Sequence, residues 1–132
     1  MTEDRPSHVL DASAVLALLN EEPGADQVEV LLQDSAMSTV NLSEVLQKAA
    51  QHGADIEGLE YDLEALGVRL IDFDVRLARE TAGLWTETSP AGLSLGDRAC
   101  LVLAASFGAI AATADRRWVG FPGLTVDVRL VR

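Results

Sequence analysis

The sequence predicts a three-layer α/β/α domain with a mostly parallel central sheet. Short apolar segments alternate along the chain with longer segments whose apolar residues recur at helical spacing. Such alternation is typical of parallel strands joined by right-handed helical crossovers. The 132 residues suffice for one hydrophobic core, and no repeat, linker or low-complexity tract divides them. We therefore expect a single domain over residues 1–132.

Five short segments have the composition of strands. They are apolar or rich in small residues, and most of them end at polar or turn-forming residues. The last of them alternates apolar and polar residues, as an edge strand does. The strands are predicted at residues 8–10, 36–40, 68–71, 109–112 and 125–130.

Helices are predicted between these strands. Residues 12–20 carry an apolar stripe, and after a turn at 21–24 Asp26 is placed to cap a second helix. A third helix has its apolar face within residues 42–50 and ends near Gly53.

The second half of the chain continues the pattern. Residues 55–66 form an amphipathic helix with five acids, and Asp74 can cap a helix over 75–85. A loop at 89–92 precedes residues 94–107, whose nearly continuous apolar run predicts a buried central helix that ends at Gly108.

Several classes of protein are excluded or disfavoured by composition. The single Cys100 cannot form an intramolecular disulfide, and no apolar run reaches the roughly 20 residues of a membrane span. The N-terminus lacks the pattern of a secretion signal, so we expect a soluble cytoplasmic protein. No glycine-rich phosphate loop or dinucleotide fingerprint occurs, so no dinucleotide cofactor is expected.

The charge is strongly acidic and unevenly distributed. The formal net charge of −11 argues against a general basic surface for nucleic acid. Residues 1–97 carry −14, whereas residues 98–132 carry +3. The basic groups therefore collect near the C-terminal end.

Four carboxylates follow the predicted strands or open the buried helix. They are Asp11, Glu44, Asp97 and Asp115. In parallel sheets, binding sites form outside the carboxyl ends of the strands, so these acids are expected at one edge. A cluster of carboxylates without His or Cys favours Mg²⁺ or Mn²⁺, which prefer hard oxygen ligands. The sequence thus predicts metal-dependent chemistry, typically on phosphate.

Each of these acids also has a purely structural interpretation. Asp11 can cap the helix that follows it, and Asp97 can favour the positive end of its helix dipole. Glu44 can pair with Lys48 one turn on, and Asp115 can be an ordinary turn residue. Taken singly, these interpretations are the more common ones; the joint placement of the four acids favours a site.

Four segments of the sequence resemble the PIN-domain family and, within it, the VapC toxins of bacterial toxin–antitoxin modules. The segments are VLDASAVLALL, NLSEVLQKA, LSLGDRACLVLA and TADRRW, which begin at residues 9, 41, 93 and 113. They occur in the family's order and span essentially the whole chain. The resemblance implies a three-layer PIN-like fold.

The resemblance also implies the roles of individual residues. Asp11, Glu44, Asp97 and Asp115 fall on the family's acidic positions, which hold one or two Mg²⁺ or Mn²⁺ ions and support RNA cleavage. Thr113 matches a family hydroxyl near the last acid, and Ser13 lies beside the first. Some members carry a further acid two residues after the last one, where this chain has Arg117. The missing acid bears on whether a second metal position is occupied.

Basic residues flank the predicted site. Arg98, Arg116 and Arg117 adjoin its acids, and Lys48 follows Glu44 by one helical turn. We expect at least one of them to contact RNA phosphates; the alternative is that they form salt bridges with neighbouring acids.

The resemblance implies a function and partners as well. It predicts a metal-dependent endoribonuclease toxin that is inhibited by a cognate VapB-type antitoxin and forms a homodimer. The acidic surface suits a basic antitoxin segment. The alternative function is a catalytically inactive PIN-like binding module.

Overall fold

The protein is described by a computed structural model over residues 5–118 and 125–132. Its centre is a five-stranded parallel sheet with the strand order β3-β2-β1-β4-β5. The strands are β1 (His8–Leu10), β2 (Ser35–Ser38), β3 (Val68–Ile71), β4 (Ile110–Thr113) and β5 (Val128–Leu130). The predicted parallel sheet is confirmed, and β5 lies at its edge.

Seven α-helices connect the strands of the described chain. They are α1 (Ala12–Leu19), α2 (Ala25–Leu31), α3 (Thr39–Gln51), α4 (Leu59–Ala65), α5 (Val75–Gly83), α6 (Trp85–Thr88) and α7 (Leu95–Phe107). Short 3₁₀ turns occur at Leu32–Asp34, Ser89–Ala91 and Arg116–Trp118. None of these helices is long and apolar enough to cross a membrane.

The two faces of the sheet bury separate sets of side chains. On β1, Leu10 joins the core formed with α1 to α4, while Val9 joins the core formed with α5 and α7. Met37 and Ala36 divide in the same way on β2. Because successive side chains of a strand point to opposite faces, this division confirms the three layers.

Strand register sets which residues meet at the carboxyl edge. Leu10 is aligned with Ala112 across β1 and β4, and the amide of Asp11 donates to the Ala112 carbonyl at 3.1 Å. Asp11 and Thr113 are therefore neighbours at the same edge of the sheet, although 102 positions separate them. The chain turns out of the sheet here, after Leu10 and after Thr113.

Several element boundaries differ from those predicted. The fourth helix begins at Leu59 and not at residue 55, because Gly58 has a left-handed conformation (φ 77°) and breaks the helical path. Asp26 lies in the first turn of α2, and Gly24 occupies the capping position, so the predicted cap is wrong. The helix predicted over 75–85 is divided at Leu84 into α5 and α6. Part of the strand predicted at 125–130 is present, as Val128–Leu130.

Candidate active site at the carboxyl edge of the sheet

Asp11 is the most deeply buried of the four predicted acids, with 2% of its surface exposed. Its Oδ1 atom accepts the amide of Ala14 at 2.8 Å and so caps α1. The hydroxyl of Thr113 donates to Oδ2 at 2.6 Å, and the hydroxyl of Ser13 donates to Oδ1 at 2.8 Å. The capping interpretation is thus correct for this residue, and the cap leaves the carboxylate surrounded by donors.

Burial raises the pKa of Asp11 to about 6, although the hydrogen bonds from Thr113, Ala14 and Ser13 act to lower it. The negative charge of Asp97 raises it further. An ionised carboxylate at this position is costly unless a cation compensates its charge.

Two hydroxyl groups fasten the turn after β4 to the start of α1. Thr113 Oγ1 accepts the amide of Asp115 at 2.9 Å while it donates to Asp11. Ser13 Oγ accepts the amide of Ala114 at 2.9 Å in the same manner. Both hydroxyls therefore hold Asp11 and Asp115 in a fixed relation, as groups behind metal ligands do.

Asp97 lies in the first turn of α7 and forms a capping box with Ser94. Its Oδ2 atom accepts the Ser94 amide at 2.9 Å, and its own amide donates to Ser94 Oγ at 3.2 Å. These bonds fix the carboxylate at the positive end of the buried helix.

Glu44 is placed by a residue that the sequence analysis did not select. Asn41 is 1% exposed, and its side-chain Nδ2 donates to Glu44 Oε1 at 3.0 Å and to the Gly96 carbonyl at 3.0 Å. Glu44 lies in the second turn of α3, and its carboxylate fills the space that a side chain at Gly96 would need. Asn41 therefore joins α3 to α7 at the site. The signal in the sequence was its position three residues before Glu44, on the same helix face.

Asp115 is bound by Arg117, which stands where some related sequences have a further acid. Arg117 Nε donates to both oxygens of Asp115, at 3.1 and 3.0 Å, and Nη2 donates to Oδ2 at 2.6 Å. The same Nη2 lies 3.7 Å from Asp97 Oδ2, and Nη1 donates to the Gly92 carbonyl at 3.1 Å. The hydrogen bonds from Arg117 lower the pKa of Asp115. The salt-bridge alternative is thus the one observed for Arg117.

The other basic candidates differ in their surroundings. Arg98 donates from Nη1 to the Thr81 carbonyl at 3.0 Å, which ties α7 to α5 and gives this arginine a structural bond. Arg116 and Lys48 are exposed. The alternative pair of Glu44 with Lys48 is not formed among the described residues, since Glu44 is held by Asn41.

A surface groove lies beside Asp115 and Lys48. It has a volume of about 440 Å³, and Ser13 and Asp115 line it together with Lys48, His52 and Arg132. Basic groups from α3 and the C-terminus thus line the same groove as Asp115, one of the acids.

The acids are of the chemical type that binds divalent ions, but as placed they do not form a group of three ligands around one point among the described residues. Within residues 5–118 and 125–132, no group of three His, Cys, Asp or Glu side chains could hold a metal ion as placed. Yet Asp11, Asp97 and Glu44 all act on the buried thiol of Cys100, whose pKa is raised by burial and by these three charges. These three acids therefore lie on the same side of the fold as Cys100, and their carboxylates are hard oxygen donors of the kind that Mg²⁺ and Mn²⁺ prefer.

Comparisons with known proteins agree with this architecture. A sequence profile for the PIN domain matches residues 8–123. None of the curated proteins matches the chain.

Solved structures share the fold. A toxin–antitoxin complex from Klebsiella pneumoniae is similar at a TM-score of 0.75 and 20% identity, covering 96% of this chain and 98% of that one. DNA-bound VapBC from Salmonella typhimurium has a TM-score of 0.69 at 18% identity, with coverage of 94% and 97%. VapC20 from Mycobacterium tuberculosis, described as a sarcin-ricin loop cleaving toxin, has a TM-score of 0.70 at 17% identity, with coverage of 87% and 96%.

We expect the free energy of unfolding of the metal-free protein to depend less steeply on pH in Asp11→Asn than in the wild type. The pKa of Asp11 is raised from 3.8 to about 6 on folding. Its contribution to the free energy of unfolding is therefore fully present below pH 3.8 and is lost as the pH rises through 6. The variant lacks this loss, so between pH 4 and pH 8 its free energy of unfolding should fall by roughly 2 to 3 kcal/mol less than that of the wild type. Urea unfolding in EDTA at several pH values measures the difference.

The matched control is Asp55→Asn, which changes an exposed acid. It removes the same formal charge from the surface and so shows the effect of losing one negative charge alone. Parallel pH profiles for the wild type and Asp11→Asn would contradict a raised pKa at Asp11.

We expect Gly96→Ala to weaken Mn²⁺ binding by roughly tenfold, the scale seen when a group behind a metal ligand is removed. The new Cβ would collide with the Glu44 carboxylate and push it from its place. Isothermal titration calorimetry measures the affinity. Gly83→Ala is the control, because a Cβ at that helical glycine meets no atom within 4 Å; equal affinities for the two variants would show that the position of Glu44 is immaterial.

Proposed function

Since this chain belongs to the PIN-domain family, we propose that it is a Mg²⁺- or Mn²⁺-dependent endoribonuclease and the toxin of a toxin–antitoxin pair. The observation that carries the proposal is Asp11, a buried carboxylate with a raised pKa at the carboxyl edge of the sheet. A bound cation would compensate the cost of burying the negative charge of Asp11. The neighbouring acids offer the oxygen ligands that Mg²⁺ and Mn²⁺ prefer.

The chain's own groups are suited to hold the ligands in place. Asp11, Asp97 and Asp115 are the proposed ligands, and each is oriented by bonds to backbone amides or hydroxyls. Such outer bonds limit how far each carboxylate can move. Precise placement of the ligands is what a catalytic metal site requires.

When bound, the divalent ion would supply a water of lowered pKa for attack on a phosphodiester and would neutralise charge on the phosphate. Glu44 reaches the site from α3, where its carboxylate lies against Gly96 at the start of α7. Its Oε1 atom is held by Asn41, so Glu44 is suited to bind an outer water or to orient the attacking one. We propose that water attacks phosphorus and the P–O3′ bond breaks, so that one product carries a 5′-phosphate and the other a 3′-hydroxyl, whose oxygen takes up a proton.

The toxin assignment is supported by the kinds of protein that share the fold. The similar structures include toxin–antitoxin complexes, and a further one is described as a sarcin-ricin loop cleaving toxin. By analogy we propose an RNA substrate and a VapB-type antitoxin as partners, with a site of action in the cytoplasm. The net charge of −11 favours a basic antitoxin segment, because complementary charges speed association and select partners.

We further propose a homodimer. Trp85 on α6 and Leu95 at the start of α7 are 57% and 53% exposed. Large apolar side chains of this kind are common at protein interfaces.

The decisive experiment incubates purified, antitoxin-free protein with total RNA in the presence of Mn²⁺ or EDTA. We expect cleavage only with Mn²⁺, ends that carry a 5′-phosphate, and a loss of at least 100-fold in the variant Asp97→Asn, because that variant loses a charged ligand. Asp55→Asn, which changes an exposed acid far along the sequence from the site, is the matched control and should cleave normally. Absence of any metal-dependent cleavage that Asp97→Asn abolishes would favour the catalytically inactive binding module.

Lys48 and Arg116 are proposed to bind RNA phosphates, because both are exposed and adjoin the acids in sequence or along the groove. In the Asp97→Asn background, which leaves RNA uncut, replacing either by Gln should reduce the slope of log affinity against log salt by about one. Fluorescence anisotropy with a single-stranded RNA measures this slope. Arg79→Gln, on the exposed side of α5, is the control; a salt slope equal to that of the control would remove Lys48 and Arg116 from the interface.

A further inference from the structure

Arg117 stands where some related sequences have an acid, and its guanidinium lies on two of the proposed metal ligands. We infer that Arg117 is a built-in counter-ion of the acidic site, which a divalent ion must displace before it can bind. The inference rests on the proposed function, because it assumes that these acids are metal ligands.

The position of Arg117 is specified by several bonds at once. Its backbone amide donates to Asp115 Oδ1 at 2.9 Å, and its Nε and Nη2 atoms hold both oxygens of the same carboxylate. Its Nη1 atom is anchored on the Gly92 carbonyl at 3.1 Å, outside the acids. A fork of charge-assisted bonds with an anchor behind it is a defined arrangement, unlike a lone surface ion pair.

Arg117 and a metal ion compete for the same atoms. Asp115 Oδ2, which Nη2 contacts at 2.6 Å, cannot accept that bond and coordinate a metal ion from the same side. The guanidinium would also repel a divalent cation bound to these acids, because Nη2 lies 3.7 Å from Asp97 Oδ2 and 2.6 Å from Asp115 Oδ2.

Arg117 can leave without disturbing the fold. Its side chain is 55% exposed, and Trp118, which follows it, is buried and anchors the backbone of the turn. Displacement therefore costs the bonds to Asp115 and Gly92 but no core packing. Removal of Arg117 should consequently make metal binding tighter, whereas a residue that helps to hold the metal would make it weaker when removed.

The test measures Mn²⁺ affinity in the antitoxin-free protein, without RNA, by calorimetry and by electron paramagnetic resonance of free Mn²⁺. We expect Arg117→Gln to bind Mn²⁺ about five- to tenfold more tightly than the wild type, the scale of one partly exposed charge-assisted fork. Arg116→Gln is the matched control, because it removes the same charge one residue away and should change the affinity by less than about twofold. In the Asp97→Asn background the effect of Arg117→Gln should shrink, since one ligand is already lost.

A second measurement follows Arg117 directly. In metal-free protein, the Nε proton of Arg117 is held by Asp115 and should give a slowly exchanging ¹⁵N–¹H signal, which Arg117→Gln assigns by its loss. Saturation with diamagnetic Mg²⁺ should shift this signal and speed its exchange.

The outcomes separate the two proposals. If the wild type binds Mn²⁺ and loses it in Asp97→Asn, but Arg117→Gln binds no more tightly than Arg116→Gln, the counter-ion role is overturned while the metal site stands. An Arg117 signal that Mg²⁺ leaves unchanged overturns it as well. If neither the wild type nor Arg117→Gln binds Mn²⁺, the metal site itself is overturned, and the counter-ion role falls with it.

Discussion

The burial of the Asp11 carboxylate is the constraint on which the rest of the site depends. A charged oxygen pair at the end of β1, with 2% of the residue exposed, must be surrounded by donors or opposed by a cation. The chain supplies donors from α1 and from the end of β4, and these two elements are held side by side by the strand register. The same bonds that reduce the cost of burying Asp11 therefore also fix the turn that carries Asp115.

The remaining acids are brought to Asp11 by two helices. The buried helix α7 carries Asp97 in its first turn, where the capping box and the helix dipole both hold its charge. Helix α3 carries Glu44, and the contact between α3 and α7 is close because Gly96 has no side chain and Asn41 bridges the two helices. The absence of a side chain at Gly96 and the hydrogen bonds of Asn41 therefore allow the carboxylates of Glu44 and Asp97 to lie on neighbouring helices at the same crossing.

The net charge of the whole chain and the distribution of charge at the site point to different binding partners. The net charge of −11 argued against a nucleic-acid protein, yet several of these acids are proposed ligands, and the nearest bases are a local exception in an acidic chain. Arg117 lies on the acids, whereas Lys48 and Arg132 line the groove beside them. The overall acidity suits a basic protein partner, and of the bases beside the acids Lys48 is the one proposed to bind RNA phosphate, since Arg132 is paired with Glu22.

The order of the strands along the chain, the parallel sheet and the segments that carry the four acids could be predicted from the sequence. These predictions depend on hydrophobic periodicity, on capping residues such as Asp11 and Asp74, and on the rule that binding sites form at the carboxyl edge of parallel strands. The sequence could not place the start of α4, which Gly58 delays through its left-handed conformation.

The contacts between polar side chains could not be predicted from the sequence. Asn41 binds a carbonyl 55 residues away, and Arg98 turns to α5 while Arg117 binds the acids, although both arginines adjoin an acid in sequence. The physical reason is that periodicity and capping act over a few neighbouring residues. The partner of a polar side chain, in contrast, is set by helices and strands that packing brings together from distant parts of the chain.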